Sequence, residues 1–135
     1  MADLSITASS VIAGTTAKKV NGTSGATITA GKVVYLDEAD NRYKLADNNG
    51  VAAALSPVGI ALHAASSGQP LTVAFSGPVT IGATLTAGNE YLLSATAGGI
   101  CPRADVTTGQ TVVSIGYATS TTVLNVNIQV TGVTL

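Results

Sequence analysis

Gly25-Ala26-Thr27-Ile28-Thr29-Ala30-Gly31 returns as Gly82-Ala83-Thr84-Leu85-Thr86-Ala87-Gly88, with a single Ile-to-Leu exchange and an offset of 57 residues. The same offset carries Val34-Tyr35-Leu36 to Tyr91-Leu92-Leu93, and Val58-Gly59-Ile60-Ala61 to Ile115-Gly116-Tyr117-Ala118. Arg42–Ala46 falls on Gly99–Arg103. After a loop shorter by four residues, Leu71-Thr72-Val73 aligns with Leu124-Asn125-Val126. Several landmarks at one spacing mark a duplicated unit, which is how repeat architectures announce themselves. Each copy reads as a Gly-bearing turn, strand, turn, strand, loop, strand, turn and final strand. Gly31 and Gly88 close their T-A-G motifs at turns expected to need positive φ, which glycine adopts without steric cost.

Thr, Val, Ile and Tyr favour strands, and Gly, Pro, Asn and Asp punctuate them. Strands are predicted at Leu4–Ala8, Lys32–Asp37, Arg42–Ala46, Pro57–His63, Leu71–Phe75, Val79–Ile81, Glu90–Ser94, Ile100–Arg103, Gln110–Ala118 and Val123–Val130. Turns are predicted at Glu38–Asn41, at Asp47–Gly50 and at Gly98-Gly99, with Ser76-Gly77-Pro78 as a break. The best helical candidate, Gly50–Leu55, is short and runs into Ser56-Pro57, and the residue before a proline is pushed out of the helical region. A four-stranded unit with one apolar face is marginal alone, so two copies are expected to bury those faces against each other. The reading is an all-β fold, a small β-sandwich or barrel of two related units, 25–77 and 82–132, in one domain spanning 25–135. Ser9–Gly25 is small, polar and Gly-bearing and reads as extended, so residues 1–24 are taken as an extended N-terminal arm.

Composition narrows the function classes. Only 10% of residues are charged and 46% are hydrophobic, with a net charge of −1. Disordered chains combine low hydrophobicity with high net charge, the reverse of this one. Nucleic-acid binding needs a basic face to displace counterions, and none is present. Low net charge favours association, so a homo-oligomer is expected. The N-terminus MADLSITASS lacks a basic and apolar leader, and the apolar run Val51–Leu55 is far below a membrane span of about 20 residues. A soluble protein made in a cytoplasm, without membrane contact, is the expectation.

The catalytic inventory is thin. His63 is the sole histidine and Cys101 the sole cysteine, which leaves no disulfide and no thiol metal cluster. There is no G-x-S-x-G elbow to support a Ser–His–acid triad, and no glycine-rich loop running into Lys-Ser/Thr. Cys101 with His63 is the conceivable nucleophile–base pair; a rim histidine and a small buried thiol are the simpler reading. Asp37, Glu38 and Asp40 gather in one turn beside Asn41 but lack the spacing of a calcium loop. Asn21-Gly22-Thr23 matches a glycosylation acceptor formally and reads as a turn. The expectation is no catalysis, no cofactor and no metal.

The motif T-A-G-x-x-V-Y-L at Thr29–Leu36, P-V-G-I-A within Pro57–Leu62, the strand at Gly68–Phe75 and the second T-A-G at Thr86–Leu93 resemble the capsid cement, or decoration, proteins of tailed bacteriophages. The similarity spans residues 25–131. It implies a non-enzymatic virion protein on the capsid exterior, binding the major capsid protein, grouped as a trimer and stabilising the shell. The alternative is a head-fibre, tail or cell-surface adhesion module that binds a receptor or glycan. In either case the arm, through Leu4, Ile6, Val11, Ile12, Lys18 and Lys19, is the expected contact with the partner.

Overall fold

A computed structural model of the chain describes residues 3–50 and 55–135. The helical candidate Gly50–Leu55 and the apolar run Val51–Leu55 fall largely on 51–54, outside the described residues. The fold is all-β, as the sequence predicts: an antiparallel sheet curled into a half-barrel. Ten strands are named: β1 Ile12–Ala13, β2 Lys18–Thr23, β3 Val33–Asp37, β4 Arg42–Leu45, β5 Gly59–Ala61, β6 Pro70–Thr80, β7 Glu90–Leu93, β8 Ile100–Pro102, β9 Thr111–Ala118 and β10 Val123–Thr134. The sheet order is β4-β3-β5-β6-β10-β9-β7-β8, with β1 and β2 pairing on β6. The order reads as one four-strand pattern and then its reverse, the trace of the duplication.

The registers repeat with the sequence. Val34↔Leu45, Tyr35↔Lys44 and Leu36↔Tyr43 recur 57 residues on as Tyr91↔Pro102, Leu92↔Cys101 and Leu93↔Ile100. Val33↔Ile60 and Val34↔Gly59 recur as Glu90↔Tyr117 and Tyr91↔Gly116. The T-A-G turns match too: Gly31 and Gly88 have φ of 90° and 86°, and their N–H groups donate to the Ala61 and Ala118 carbonyls at 2.8 and 2.7 Å. The last strand departs from the sequence alignment. Ala61 pairs with Val73 and Ala118 with Leu124, so Val73, not Leu71, is the structural counterpart of Leu124. A slip of two residues keeps every side chain on its face, so hydrophobic patterning cannot detect it.

The two units do not bury equivalent faces against each other. Val33, Tyr35, Ala46, Ile60 and Ala74 of the first unit enter the main core. Their second-unit counterparts are Glu90, Leu92, Arg103, Tyr117 and Asn125. Glu90, Arg103 and Tyr117 lie exposed, and Leu92 packs in a small separate cluster with Cys101, Val106 and Val112. The second unit instead gives the main core its opposite face: Tyr91, Leu93, Ile100, Ala118 and Leu124. The first-unit counterparts of those residues, including Val34, Tyr43, Ala61 and Val73, form a second cluster with Ile28 and Leu71. The units stack front to back. A buried unpaired carboxylate costs several kcal/mol, which is why the face that carries Glu90 is turned to water.

Two further differences from the sequence reading have local causes. Ser76-Gly77-Pro78 does not break the strand; β6 runs through it. Lys18 pairs with Ser76 and Lys19 with Ala74, so Phe75 is the extra residue of a bulge, and Gly77 absorbs the bend at φ 97°. The predicted strand Leu4–Ala8 forms no ladder: residues 4–7 lie in no strand, and Ala8 opens a 3₁₀ turn, Ala8–Ser10.

Candidate partner-binding surface

The N-terminal segment is extended, as expected, but it lies against the body and straps the two units together. The Leu4 N–H donates to Ile100 O at 2.8 Å and the Thr7 N–H to Gly82 O at 2.8 Å. β1 and β2 then run along β6, with Ile12↔Thr80 and Val20↔Val73 among their pairs. Of the six expected contact residues, Leu4 and Ile6 are partly buried against the main core, and Val11 belongs to it at 8% exposure. Ile12 is 63% exposed, and Lys18 and Lys19 are exposed. Strand alternation explains the split between Val11 and Ile12: neighbouring residues face opposite ways. The outward part of the segment is therefore Ile12, Lys18 and Lys19.

β1 pairs with β6 alone among the described residues, whereas the far end of β2 meets β4, where Ser24 bridges Tyr43 and the Gly25 N–H donates to Tyr43 O at 2.7 Å; the sheet edge is the outer backbone of β1 and of the Lys18 end of β2. Lys18 and Lys19 take part in none of the ion pairs found among the described residues. Beside β1 runs an open groove of about 380 Å³, whose lining includes the hydroxyls of Ser10, Thr80, Thr84 and Thr122.

The residues with catalytic potential occupy other places and do other work. The His63 Nε2 accepts the Thr72 N–H at 3.0 Å, and Nδ1 lies 3.0 Å from Ala64 O, so the neutral ring that donates from Nδ1 satisfies both contacts. Cys101 is buried, with Sγ 3.9 Å from Leu93 O. Burial, and then the charges of Asp3 and Asp105, push its thiol up to about 12, the opposite of what a nucleophile needs.

Two of the three carboxylates of the acidic turn share one lysine. Lys44 Nζ reaches Asp37 at 2.7 Å and Asp40 at 3.2 Å, and the Ala39 N–H donates to Asp37 at 3.0 Å. The Lys44 hydrogen bond, and then the Ala39 N–H, hold the Asp37 carboxyl below its ordinary value. Asn41 closes the turn at φ 59°, a conformation asparagine tolerates better than most residues. No group of three or more His, Cys, Asp or Glu side chains able to hold a metal ion occurs among the described residues. No helix among them is long and apolar enough to cross a membrane.

A scan against protein-family models gives no match to this chain, and a search of curated proteins finds no significant relative.

Proposed function

We propose that this protein is a non-enzymatic capsid decoration protein of a tailed bacteriophage, binding the exterior of the shell through the outer edge of its N-terminal strap. The single structural observation behind the reading is that edge: Ile12 stands exposed on β1, and Lys18 and Lys19 project from β2 with no ion pair among the described residues. The sequence resemblance supplies the identity of the partner, the major capsid protein. Strand addition at a sheet edge offers main-chain hydrogen bonds, and a basic pair suits an acidic capsid surface. A protein that binds only the assembled shell stabilises it by mass action, and many weak contacts on a symmetric shell add through avidity. The trimer implied by the resemblance is part of this proposal.

Co-sedimentation with capsids stripped of their outer layer tests it. The chain is expected to pellet with them and to raise their melting temperature, and Lys18→Glu with Lys19→Glu is expected to weaken both effects. Failure of the folded chain to pellet with any stripped tailed-phage capsid would argue against the proposal.

The hydroxyl-lined groove beside β1 favours a second reading, an adhesion module that binds a glycan. Binding on a glycan array without capsid affinity would select it.

A further inference from the structure

We infer that Asn49 is a site of spontaneous covalent modification: it loses its side-chain amide through attack by the backbone nitrogen of Gly50. The chain holds two Asn-Gly pairs, Asn21-Gly22 and Asn49-Gly50. Glycine after asparagine leaves the following backbone nitrogen unshielded, because no β-carbon stands beside it. What decides the reaction is whether the backbone can bring that nitrogen onto the asparagine Cγ. The two pairs are alike in sequence, and the fold separates them.

Asn49 and Gly50 are both exposed, in the bend that follows β4. Neither takes part in any of the backbone hydrogen bonds found among the described residues. The turn also requires its glycine: a β-carbon on Gly50 would collide with Asp47 Oδ1. Asn21-Gly22 lies within β2 instead, with Asn21 opposite Thr72 and Gly22 opposite Leu71. The Asn21 Oδ1 accepts from Thr72 Oγ1 at 2.9 Å, and Gly22 lies against the Tyr43 ring. An extended strand keeps the next nitrogen away from the side-chain Cγ, so Asn21 can react only when the ladder opens.

Water is the only co-reactant. The Gly50 nitrogen gives up its proton to solvent and attacks Asn49 Cγ; the N–Cγ bond forms, the Cγ–Nδ2 bond breaks, and the amide group leaves as ammonia. Water then opens the resulting cyclic imide. Cleavage of the new N–Cγ bond leaves an aspartyl residue. Cleavage of the original peptide bond leaves an isoaspartyl residue, joined to Gly50 through its side chain. Either product adds a negative charge close to Asp47. The isoaspartyl form also lengthens the main chain directly after Asn48, whose carbonyl accepts the Thr111 N–H. This chemistry is independent of any capsid partner.

Incubation of the full folded chain at pH 8, followed by proteolysis and tandem mass spectrometry, tests the inference. Asn49 is expected to convert to the acid, with isoaspartyl product identified by electron-transfer fragmentation. It is expected to do so at least about tenfold faster than Asn21, whose rate is limited by opening of the ladder. In urea, where neither pair is held, the two rates are expected to agree within about twofold. On isoelectric focusing of the folded proteins, Asn49→Ser is expected to abolish the slow acidic shift of the parent chain. Circular dichroism checks that this variant folds; if it does not, the peptide map of the parent chain carries the test. An Asn49 that stays intact in the folded chain while it reacts in urea overturns the inference. So does an Asn21 that reacts as fast as Asn49 in the folded chain, or an acidic shift that folded Asn49→Ser retains in full.

Discussion

Ile6 lies over Gly31: a β-carbon built on Gly31 would sit 2.6 Å from Ile6 Cγ2, whereas one on Gly88, the same position of the second unit, meets nothing within 4 Å. The two glycines have matching backbones, so they form an internal control. Alanine at either position carries the left-handed penalty of about 1–2 kcal/mol. Only Gly31→Ala must also displace Ile6, and overpacking adds about 1–3 kcal/mol. Urea denaturation is expected to rank the variants Gly31→Ala below Gly88→Ala below the parent chain. In an Ile6→Ala background the gap between the two is expected to narrow to the remainder due to Val11 Cγ2, which would lie 3.2 Å from the new β-carbon.

Val11 and Ile12 separate stability from binding. Val11→Ser puts a hydroxyl into the main core and removes two methyl groups, a loss of about 2 kcal/mol or more. Ile12→Ser changes an exposed side chain and is expected to move stability by no more than about 0.5 kcal/mol. Capsid co-sedimentation is expected to show the reverse order, with Ile12→Ser the weaker binder at a temperature where both variants are folded.

Cys101 predicts both a reactivity and an alkaline limb. Its thiol is expected to resist a disulfide reagent at pH 8 in the native chain and to react at once when unfolded. The folded thiol holds its proton up to about pH 12, against 9.0 for an unperturbed thiol. Between those values the unfolded chain binds fewer protons than the native one. Stability therefore falls as pH rises through that window, and Cys101→Ala is expected to flatten this part of the curve.

Asn48 joins the first unit to the second. It is 1% exposed; its Nδ2 donates to Leu93 O at 2.9 Å, its N–H to Ser94 O at 3.0 Å, and its carbonyl accepts the Thr111 N–H at 2.9 Å. Asn48→Asp would set a carboxylate oxygen against the Leu93 carbonyl and is expected to cost about 3 kcal/mol or more. Asn48→Ala, which leaves that carbonyl without its donor, is expected to cost about 1–3 kcal/mol. Thermal melts at neutral pH distinguish the two.

Much of this architecture was readable in the residues. Val33–Asp37, Arg42–Leu45 and Glu90–Leu93 alternate or run apolar between clear turns, and the T-A-G glycines carry the positive φ expected of them. β2 was not readable, because Lys18-Lys19-Val20-Asn21-Gly22-Thr23 offers one aliphatic side chain and becomes a strand only by pairing with β6. The front-to-back stack left a signal that patterning within either copy does not show. It appears only when the copies are compared position by position, in the change from Val33 to Glu90 and from Ala46 to Arg103. For the candidate surface, Lys18 and Lys19 stood out in the sequence as the one basic pair. That Val11 turns inward while Ile12 stands free depends on which way β1 docks on β6, a tertiary choice.

The central pairing of β6 with β10 joins Thr80 to Val123. Until the ribosome has released that last strand, the core around Val33, Tyr35 and Ile60 lacks Leu124 and Val126, and the second unit is not joined to the first through β6. Such late, distant closure slows folding and exposes sticky intermediates. A nascent chain stopped before Val123 is thus expected to be held by chaperones or degraded, and native protein to accumulate only after the last strand has been made.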